Sequence, residues 1–121
     1  MINKLDKGKC VSHRLYRHHT VHLKDSLSGG VYYIKDLGRL GRPLDKTIII
    51  DNTKENFCWH LSNGIHISSF FKRKHDTELL KLTPLLKQIV QQKSHDVRQS
   101  LQQIRRTHPH LQMFPLKSEC H

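Results

Sequence analysis

The chain has 121 residues, with 21 Lys and Arg against 10 Asp and Glu, so its formal net charge is +11 before any of its 11 His are counted. This length can bury roughly 65% of the unfolded surface, enough for a single hydrophobic core, and it excludes a multidomain assembly. The apolar runs are far shorter than the roughly 20 residues that cross a bilayer, so we expect no transmembrane helix. Three cysteines without C-x-x-C spacing favour a reducing, intracellular compartment.

The first third of the sequence predicts short strands and turns. Between Val11 and Lys24, mixed apolar and β-branched stretches predict one or two strands. Turn-forming residues fill positions 25–30, and strong strand formers follow at 31–34, which together predict a hairpin with a long loop. The segment 36–43 contains two glycines and ends in proline, so we expect a single helical turn there.

The run Thr47-Ile48-Ile49-Ile50 is the most informative local pattern. Unbroken β-branched residues without polar alternation predict a strand of an α/β sheet that is covered on both faces. Ligands of open α/β sheets bind beyond the carboxyl ends of the strands, where Asp51 and Asn52 would emerge. Asn63-Gly64 predicts a turn, and the alternation at 65–67 predicts a further strand.

A first amphipathic helix is predicted in the second half of the chain. Asp76 is the expected N-cap. The apolar residues that recur at helical spacing are Leu79, Leu82, Leu86, Ile89 and Val90. Pro84 leaves two interpretations open, either a helix that kinks there or a second segment capped by Thr83 with Pro84 in its first turn.

A second helix is predicted from a narrower apolar stripe. Ser94 is the expected N-cap, and the helix should end near Arg106. The stripe consists of Val97, Leu101 and Ile104. We expect residues 107–121, which contain two prolines, to form a flexible tail.

Three segments together resemble one family, and they are Leu15-Tyr16-Arg17, residues 33–42 and Ile48-Ile49-Ile50-Asp51-Asn52. They are similar to the small carboxy-terminal-domain phosphatases, also called NLI-interacting-factor-like phosphatases, of the haloacid dehalogenase superfamily. The resemblance implies an α/β fold, the C-terminal half of a haloacid-dehalogenase-like (Rossmannoid) domain. Parallel strands, a small hairpin and C-terminal helices would make up this partial domain, which we place at residues 5–106.

The resemblance also implies site residues. Lys35 matches the phosphate-binding catalytic lysine, Asn52 matches an oxygen ligand of Mg²⁺, and Asp51 matches a residue that orients the lysine and the water shell of the metal. Arg17 matches an arginine that faces the substrate peptide or its phosphate. Phosphoryl transfer needs positive charge around the phosphate oxygens, and Mg²⁺ prefers oxygen ligands, so these residue types suit the chemistry.

The family's Asp-x-Asp-x-Thr motif does not occur in this sequence. In the family its first Asp attacks phosphorus and its second is the general acid and base. We therefore expect the C-terminal part of a Mg²⁺-dependent protein serine/threonine phosphatase that acts on phosphoserine peptides, and we expect this chain to be inactive and marginally stable by itself.

His18 and His19 depart from the polar or acidic residues that usually follow the arginine in the family. Paired exposed histidines are usually solvated, so we do not expect a metal site there. The remaining histidines are scattered without zinc-ligand spacing, and a structural zinc site is not predicted.

Two other functions stay open. One is a catalytically inactive phosphatase-like binding module, similar to the presequence receptor of the mitochondrial inner-membrane translocase, which would place the protein in mitochondria rather than in the nucleus or cytoplasm. The other is nucleic-acid binding through a basic surface, although such a surface is more often simply solvated. The residues of that surface would be Lys72, Arg73, Lys74, Arg98, Arg105 and Arg106.

Overall fold

The structure is a computed structural model that describes residues 7–67, 78–93 and 95–108. Within these residues the chain forms four β-strands and two α-helices. The strands are β1 Val21–Lys24, β2 Val31–Ile34, β3 Ile49–Asp51 and β4 Gly64–His66. The helices are α1 Glu78–Gln91 and α2 Val97–Thr107. Short 3-10 segments occur at Arg17–His19, Leu37–Arg39, Leu44–Lys46 and Lys54–Asn63.

The predicted hairpin is confirmed as an antiparallel pair of β1 and β2, in which Val21 lies opposite Ile34. Its loop is held by Asp25, whose carboxylate accepts hydrogen bonds from the Leu27 amide (3.0 Å) and the Ser28 hydroxyl (2.6 Å). Ile34 is the buried residue of these two strands. The hairpin is therefore a small sheet that lies largely in solvent.

The other two strands, β3 and β4, form the parallel pair that the α/β prediction requires, with Ile49 opposite Gly64 and Asp51 opposite His66. The 3-10 segment Lys54–Asn63 makes the connection between them. The β-branched run predicts a strand that is covered on both faces. Ile49 is only partly buried, so this coverage is incomplete in the described residues.

Asn63 and Gly64 close the 3-10 segment and begin β4. Asn63 is 1% exposed, and its side-chain amide donates to the carbonyls of Leu44 (2.7 Å) and Thr47 (2.8 Å). A Cβ atom at Gly64 would lie 2.1 Å from the ring of Phe57, which is itself buried. Only glycine lets the backbone come this close to the ring, so the predicted turn is the tightly packed start of β4.

Helix α1 runs from Glu78 to Gln91 with Pro84 inside it, so a single helix, rather than two capped segments, spans this region. Asp76, its predicted cap, lies outside the described residues. Ile89 is buried as expected, but Val90 is 76% exposed. One residue along a helix rotates the side chain by about 100°, so Ile89 and Val90 cannot both face the core.

Helix α2 begins after Asp96, whose carboxylate accepts a hydrogen bond from the Arg98 amide at 2.9 Å. The predicted cap at Ser94 is therefore wrong, and the side chain of Ser94 itself lies outside the described residues. The predicted end near Arg106 is confirmed within one residue by Thr107. Most of the predicted tail, residues 109–121, also lies outside the described residues.

One hydrophobic core joins both helices to β4. Leu101 is completely buried at its centre. The buried residues of this core are Ile65, Leu82, Ile89, Val97, Leu101 and Ile104. Ile48 and Ile50, from the β-branched run, pack against it. In the ranges that the structure describes, neither helix has the length and apolar composition to cross a membrane.

Candidate active site

Lys35 and Asp51 meet where the two sheets adjoin. Lys35 directly follows β2, and Asp51 is the last residue of β3. The Lys35 ammonium donates to Asp51 Oδ2 at 2.5 Å. The Lys35 side chain is 48% exposed whereas that of Asp51 is 3% exposed, so the pair presents one solvent-facing cation on a buried carboxylate.

The second carboxylate oxygen of Asp51 is also occupied. Asp51 Oδ1 accepts from the Thr53 amide at 2.9 Å and from the side-chain amide of Asn56 at 3.4 Å. A buried carboxylate needs such partners because removal from water otherwise disfavours its charge strongly. These three donors hold the carboxylate in one orientation, and the carboxylate in turn fixes the Lys35 ammonium.

Backbone hydrogen bonds fix both residues of the pair. The Lys35 amide donates to the Asn56 carbonyl of the 3-10 segment at 2.6 Å, and the Ile67 amide, just after β4, donates to the Asp51 carbonyl of β3 at 3.1 Å. Asn56 therefore contacts Lys35 through its carbonyl and Asp51 through its side chain. The position of Lys35 relative to Asp51 is thus set by the main chain as well as by the ion pair.

A second polar pair lies beside the first. His60 Nε2 is 2.9 Å from Asp36 Oδ1, and both side chains are less than one quarter exposed. The hydrogen bond from His60 is the main cause that lowers the pKa of Asp36, and the Gly38 amide, which also donates to Asp36, adds to it. Sequence reasoning missed both Asn56 and His60, since 24 residues separate His60 from Asp36.

Asn52 follows Asp51 beyond the end of β3 and is exposed. Its carbonyl lies 3.0 Å from His66 Nε2, which ties this position to β4. Amide and carboxylate oxygens are donor types that suit a hard cation such as Mg²⁺. The described residues contain no cluster of three or more His, Cys, Asp or Glu that could hold a metal.

Arg17 lies on the face of the hairpin. Its guanidinium is 4.9 Å from the centre of the Tyr33 ring, a cation–π arrangement. Tyr33 precedes Lys35 by two residues, and residues at this spacing in an extended strand share a face. The structure therefore brings Lys35 and Asp51 into direct contact and puts Arg17 on the adjoining hairpin.

The basic residues of the nucleic-acid hypothesis have separate roles. The Arg105 guanidinium donates to the carbonyl of Leu61 at 3.0 Å, and burial lowers the pKa of this side chain. Arg98 pairs with Asp96 at 2.8 Å. Residues 72–74 lie outside the described residues. Arg105 therefore ties α2 to the 3-10 segment, and Arg98 stabilises the start of α2.

Comparison with known families gives a match over most of the chain. Residues 1–98 match the family model described as NLI interacting factor-like phosphatase. The match covers β1 to β4, α1 and the beginning of α2, including Lys35, Asp51 and Asn52. The family resemblance and the α/β fold inferred from the sequence are thereby confirmed.

Individual curated proteins agree with this match. The chain is 40% identical to the probable C-terminal domain small phosphatase of Dictyostelium discoideum over 105 residues, which cover 87% of the chain and 32% of the relative. It is 39% identical to CTD small phosphatase-like protein 3 of Caenorhabditis elegans over 106 residues, 88% of the chain and 34% of the relative.

A human protein shows the same similarity over a shorter stretch. The chain is 42% identical to carboxy-terminal domain RNA polymerase II polypeptide A small phosphatase 2 of Homo sapiens over 73 residues, 60% of the chain and 26% of the relative. The chain thus spans about a third or less of the length of these relatives.

Proposed function

We propose that this chain, which belongs to the NLI interacting factor-like phosphatase family, contributes the phosphate-binding lysine and part of the metal site to a Mg²⁺-dependent protein serine/threonine phosphatase. The substrate class is phosphoserine peptides. The observation that carries the proposal is the Lys35 ammonium, half-exposed and held at 2.5 Å by a buried Asp51 carboxylate at the carboxyl end of a parallel strand.

Lys35 has the chemistry that this role needs. A lysine ammonium carries three donors, and Asp51 accepts from one of them, so the others can donate to phosphate oxygens from the exposed side. Charge that develops on the phosphoryl oxygens is stabilised by a cation already in place. Asp51 acts as a positioning residue, because its two oxygens are engaged by Lys35, Thr53 and Asn56.

Asn52 would hold Mg²⁺ through its side-chain oxygen, with Asp51 bordering the water shell of the ion. When bound, the ion would neutralise charge on the phosphate beside Lys35. Mg²⁺ commonly keeps several waters and takes only one or two ligands from the protein, so the partial donor set fits this ion better than it fits zinc.

The attacking nucleophile is assigned to none of these residues. The sequence has no Asp-x-Asp-x-Thr motif, and Asp51 is already engaged by three donors. The chain by itself is thus expected to bind phosphate groups without hydrolysing them. As part of a phosphatase it would act on phosphoproteins in the nucleus or cytoplasm.

A segment exchange tests this function. The stretch of the Dictyostelium relative that this chain matches would be replaced by the corresponding part of this chain, and release of phosphate from a phosphoserine peptide measured with and without Mg²⁺. We expect Mg²⁺-dependent activity that Lys35→Ala reduces by about a thousandfold, as for loss of a main charge-stabilising group. Lys87→Ala, an exposed lysine on α1, is the matched control and should leave activity unchanged.

A correctly folded exchange protein without activity would contradict the phosphatase proposal. If that protein still bound the phosphoserine peptide through Lys35, the result would favour the alternative of a non-catalytic phosphatase-like binding module. Circular dichroism of the exchange protein separates loss of folding from loss of chemistry.

A further inference from the structure

The 3-10 turn Arg17–His19 forms a compact exposed basic group on the hairpin side of the site. The rings of His18 and His19 have their centres 3.9 Å apart, and Arg17 adjoins them in the same turn. All three residues are exposed. We name Arg17, His18 and His19 the histidine turn.

The histidine turn has a fixed backbone. The Tyr16 amide donates to His19 Nδ1 at 2.8 Å, and the Thr20 hydroxyl donates to the Arg17 carbonyl at 2.6 Å. Arg17 also rests on the Tyr33 ring, whose edge contacts His22 at a centre-to-centre distance of 4.9 Å. An anion that binds here would need little reorganisation of the protein, which favours affinity.

The histidine turn adjoins the proposed phosphate site along one strand. Tyr33, which Arg17 contacts, and Lys35 are two positions apart in the sequence, a distance of about 7 Å in an extended strand. An extended peptide has the same repeat. A peptide whose phosphoserine lies on Lys35 can therefore place a side chain two or three residues away over Arg17.

Histidine side chains change charge between about pH 5 and 8, whereas arginine keeps its charge. The groups that face the two histidines are Tyr16, which precedes the turn, and Arg17 within it, with His22 and Tyr33 from the hairpin beyond Arg17. Within the part of the chain that the structure describes, no carboxylate pairs with the turn. His19 Nδ1 accepts the Tyr16 hydrogen bond, and a protonated ring cannot accept it, so of the two histidines His18 is the one that can gain a proton without breaking the turn.

We propose that the histidine turn binds a second anionic side chain of the substrate peptide, two or three residues from the phosphoserine, and that this binding strengthens as the pH falls. The inference rests on the proposed phosphatase function and adds a preference for acidic phosphopeptides. His18 is the specificity-determining residue of the pH dependence, His19 holds the turn by accepting from the Tyr16 amide, and Tyr33 is a positioning residue for Arg17.

The test measures peptide binding to the 121-residue chain by fluorescence anisotropy at about pH 6 and about pH 8, on either side of the ordinary histidine range. One phosphoserine peptide has neutral neighbours, and the other has glutamate two and three residues to either side. We expect the acidic peptide to bind about tenfold more tightly than the neutral one at the lower pH and about twofold more tightly at the higher pH. The phosphoserine charge also changes near pH 6, and the glutamates shift that change, so the unphosphorylated peptides are measured at both pH values as well.

His18→Gln is the decisive variant, because the Tyr16–His19 hydrogen bond that holds the turn is untouched. It should lower the acidic-to-neutral ratio at the lower pH by about fivefold, to its value at the higher pH, and so remove the pH dependence of the ratio. An unchanged ratio in His18→Gln, with circular dichroism like that of the wild type, would overturn the proposal.

Unphosphorylated versions of both peptides separate this inference from the proposed function. If phosphorylation and Lys35→Ala have no effect on binding, the proposed function fails, while a His18-dependent gain for the acidic unphosphorylated peptide still supports the histidine turn. A competition experiment compares a single-stranded oligonucleotide with unlabelled acidic peptide as displacer of the bound acidic peptide. If the oligonucleotide acts at about one tenth of the peptide concentration, the peptide assignment is overturned in favour of nucleic acid.

Discussion

The hairpin and the parallel pair differ in the interactions that stabilise them. In β1 and β2 the strand hydrogen bonds dominate, Ile34 is the one buried residue, and Leu27 in the loop is 97% exposed. The parallel pair instead packs on both helices through a core centred on Leu101. The candidate site takes Lys35 from the end of the first region and Asp51 from the end of the second.

This difference indicates how the site can be both rigid and accessible. The buried region fixes the Asp51 carboxylate, and the exposed hairpin carries the cation that meets the ligand. The contact between the regions includes polar groups, since the Lys35 amide donates to the Asn56 carbonyl and the Asp36 side chain pairs with His60. Substitutions in the parallel region should therefore affect stability far more than equivalent ones in the hairpin.

The largest expected loss of stability is for Asn63→Asp. The carboxylate cannot donate, so the carbonyls of Leu44 and Thr47 would lose their partner and face a buried negative charge. We expect a decrease of about 4 kcal/mol in the free energy of unfolding, measured in urea near neutral pH. Gln103→Glu, the same change on an exposed residue of α2, should alter it by less than about 0.5 kcal/mol.

Alanine substitution of Gly64 and of a glycine in the hairpin loop compares directly how well the two regions tolerate an added methyl group. The new Cβ would overlap the buried Phe57 ring at 2.1 Å, so the ring or the strand must move, at a cost of about 3 kcal/mol. At Gly30 the nearest atom to a new Cβ is the Ser28 hydroxyl at 3.3 Å, and Gly30→Ala should cost less than about 0.5 kcal/mol. Similar losses for both variants would contradict the contrast between the two regions.

A smaller effect is expected for Arg105→Met. The substitution removes the hydrogen bonds to the Leu61 and Gly64 carbonyls but also relieves the desolvation of a charged group. We expect a net decrease of about 1.5 kcal/mol in the free energy of unfolding. Arg106→Met, at an exposed neighbouring position, should be nearly neutral. Equal effects of the two substitutions would refute a structural role for Arg105.

The smallest expected effect concerns the contact between the two regions and depends on pH. Because His60 lowers the pKa of Asp36 in the folded protein, the carboxylate stabilises the fold above its unfolded pKa of about 4 and loses this contribution as the pH falls through the folded value. Asp36→Asn should cost about 1 kcal/mol near pH 6 and almost nothing near pH 2. Urea unfolding of both proteins at the two pH values measures the difference, and a cost that persists in acid would contradict the assignment.

How well the sequence predicts a feature of this protein depends on how far apart in the chain the interacting residues lie. The hairpin at 31–34 and the stripe of α2 are local patterns, and both are confirmed. Lys35 and Asp51 were identified through family resemblance, and the structure brings them together. The roles of the two residues in catalysis stay predictions.

What could not be predicted involves distant or competing groups. Asp36 and His60 are joined only by the fold, and no local pattern indicates their pairing. Asp96 outcompetes Ser94 as the cap of α2 because its carboxylate both reaches the Arg98 amide and pairs with the Arg98 guanidinium. Arg105 looks like a surface cation in sequence, but Leu61 and Gly64 accept its hydrogen bonds in the fold.

The central claim is that Lys35, fixed by Asp51 between the two regions, binds phosphate. Titration of a phosphoserine peptide with neutral neighbours into the wild type, Lys35→Ala and Lys87→Ala tests it most directly. We predict that phosphorylation strengthens binding to the wild type and to Lys87→Ala by about tenfold or more, and that Lys35→Ala removes this gain. A gain from phosphorylation that survives in Lys35→Ala would contradict the account.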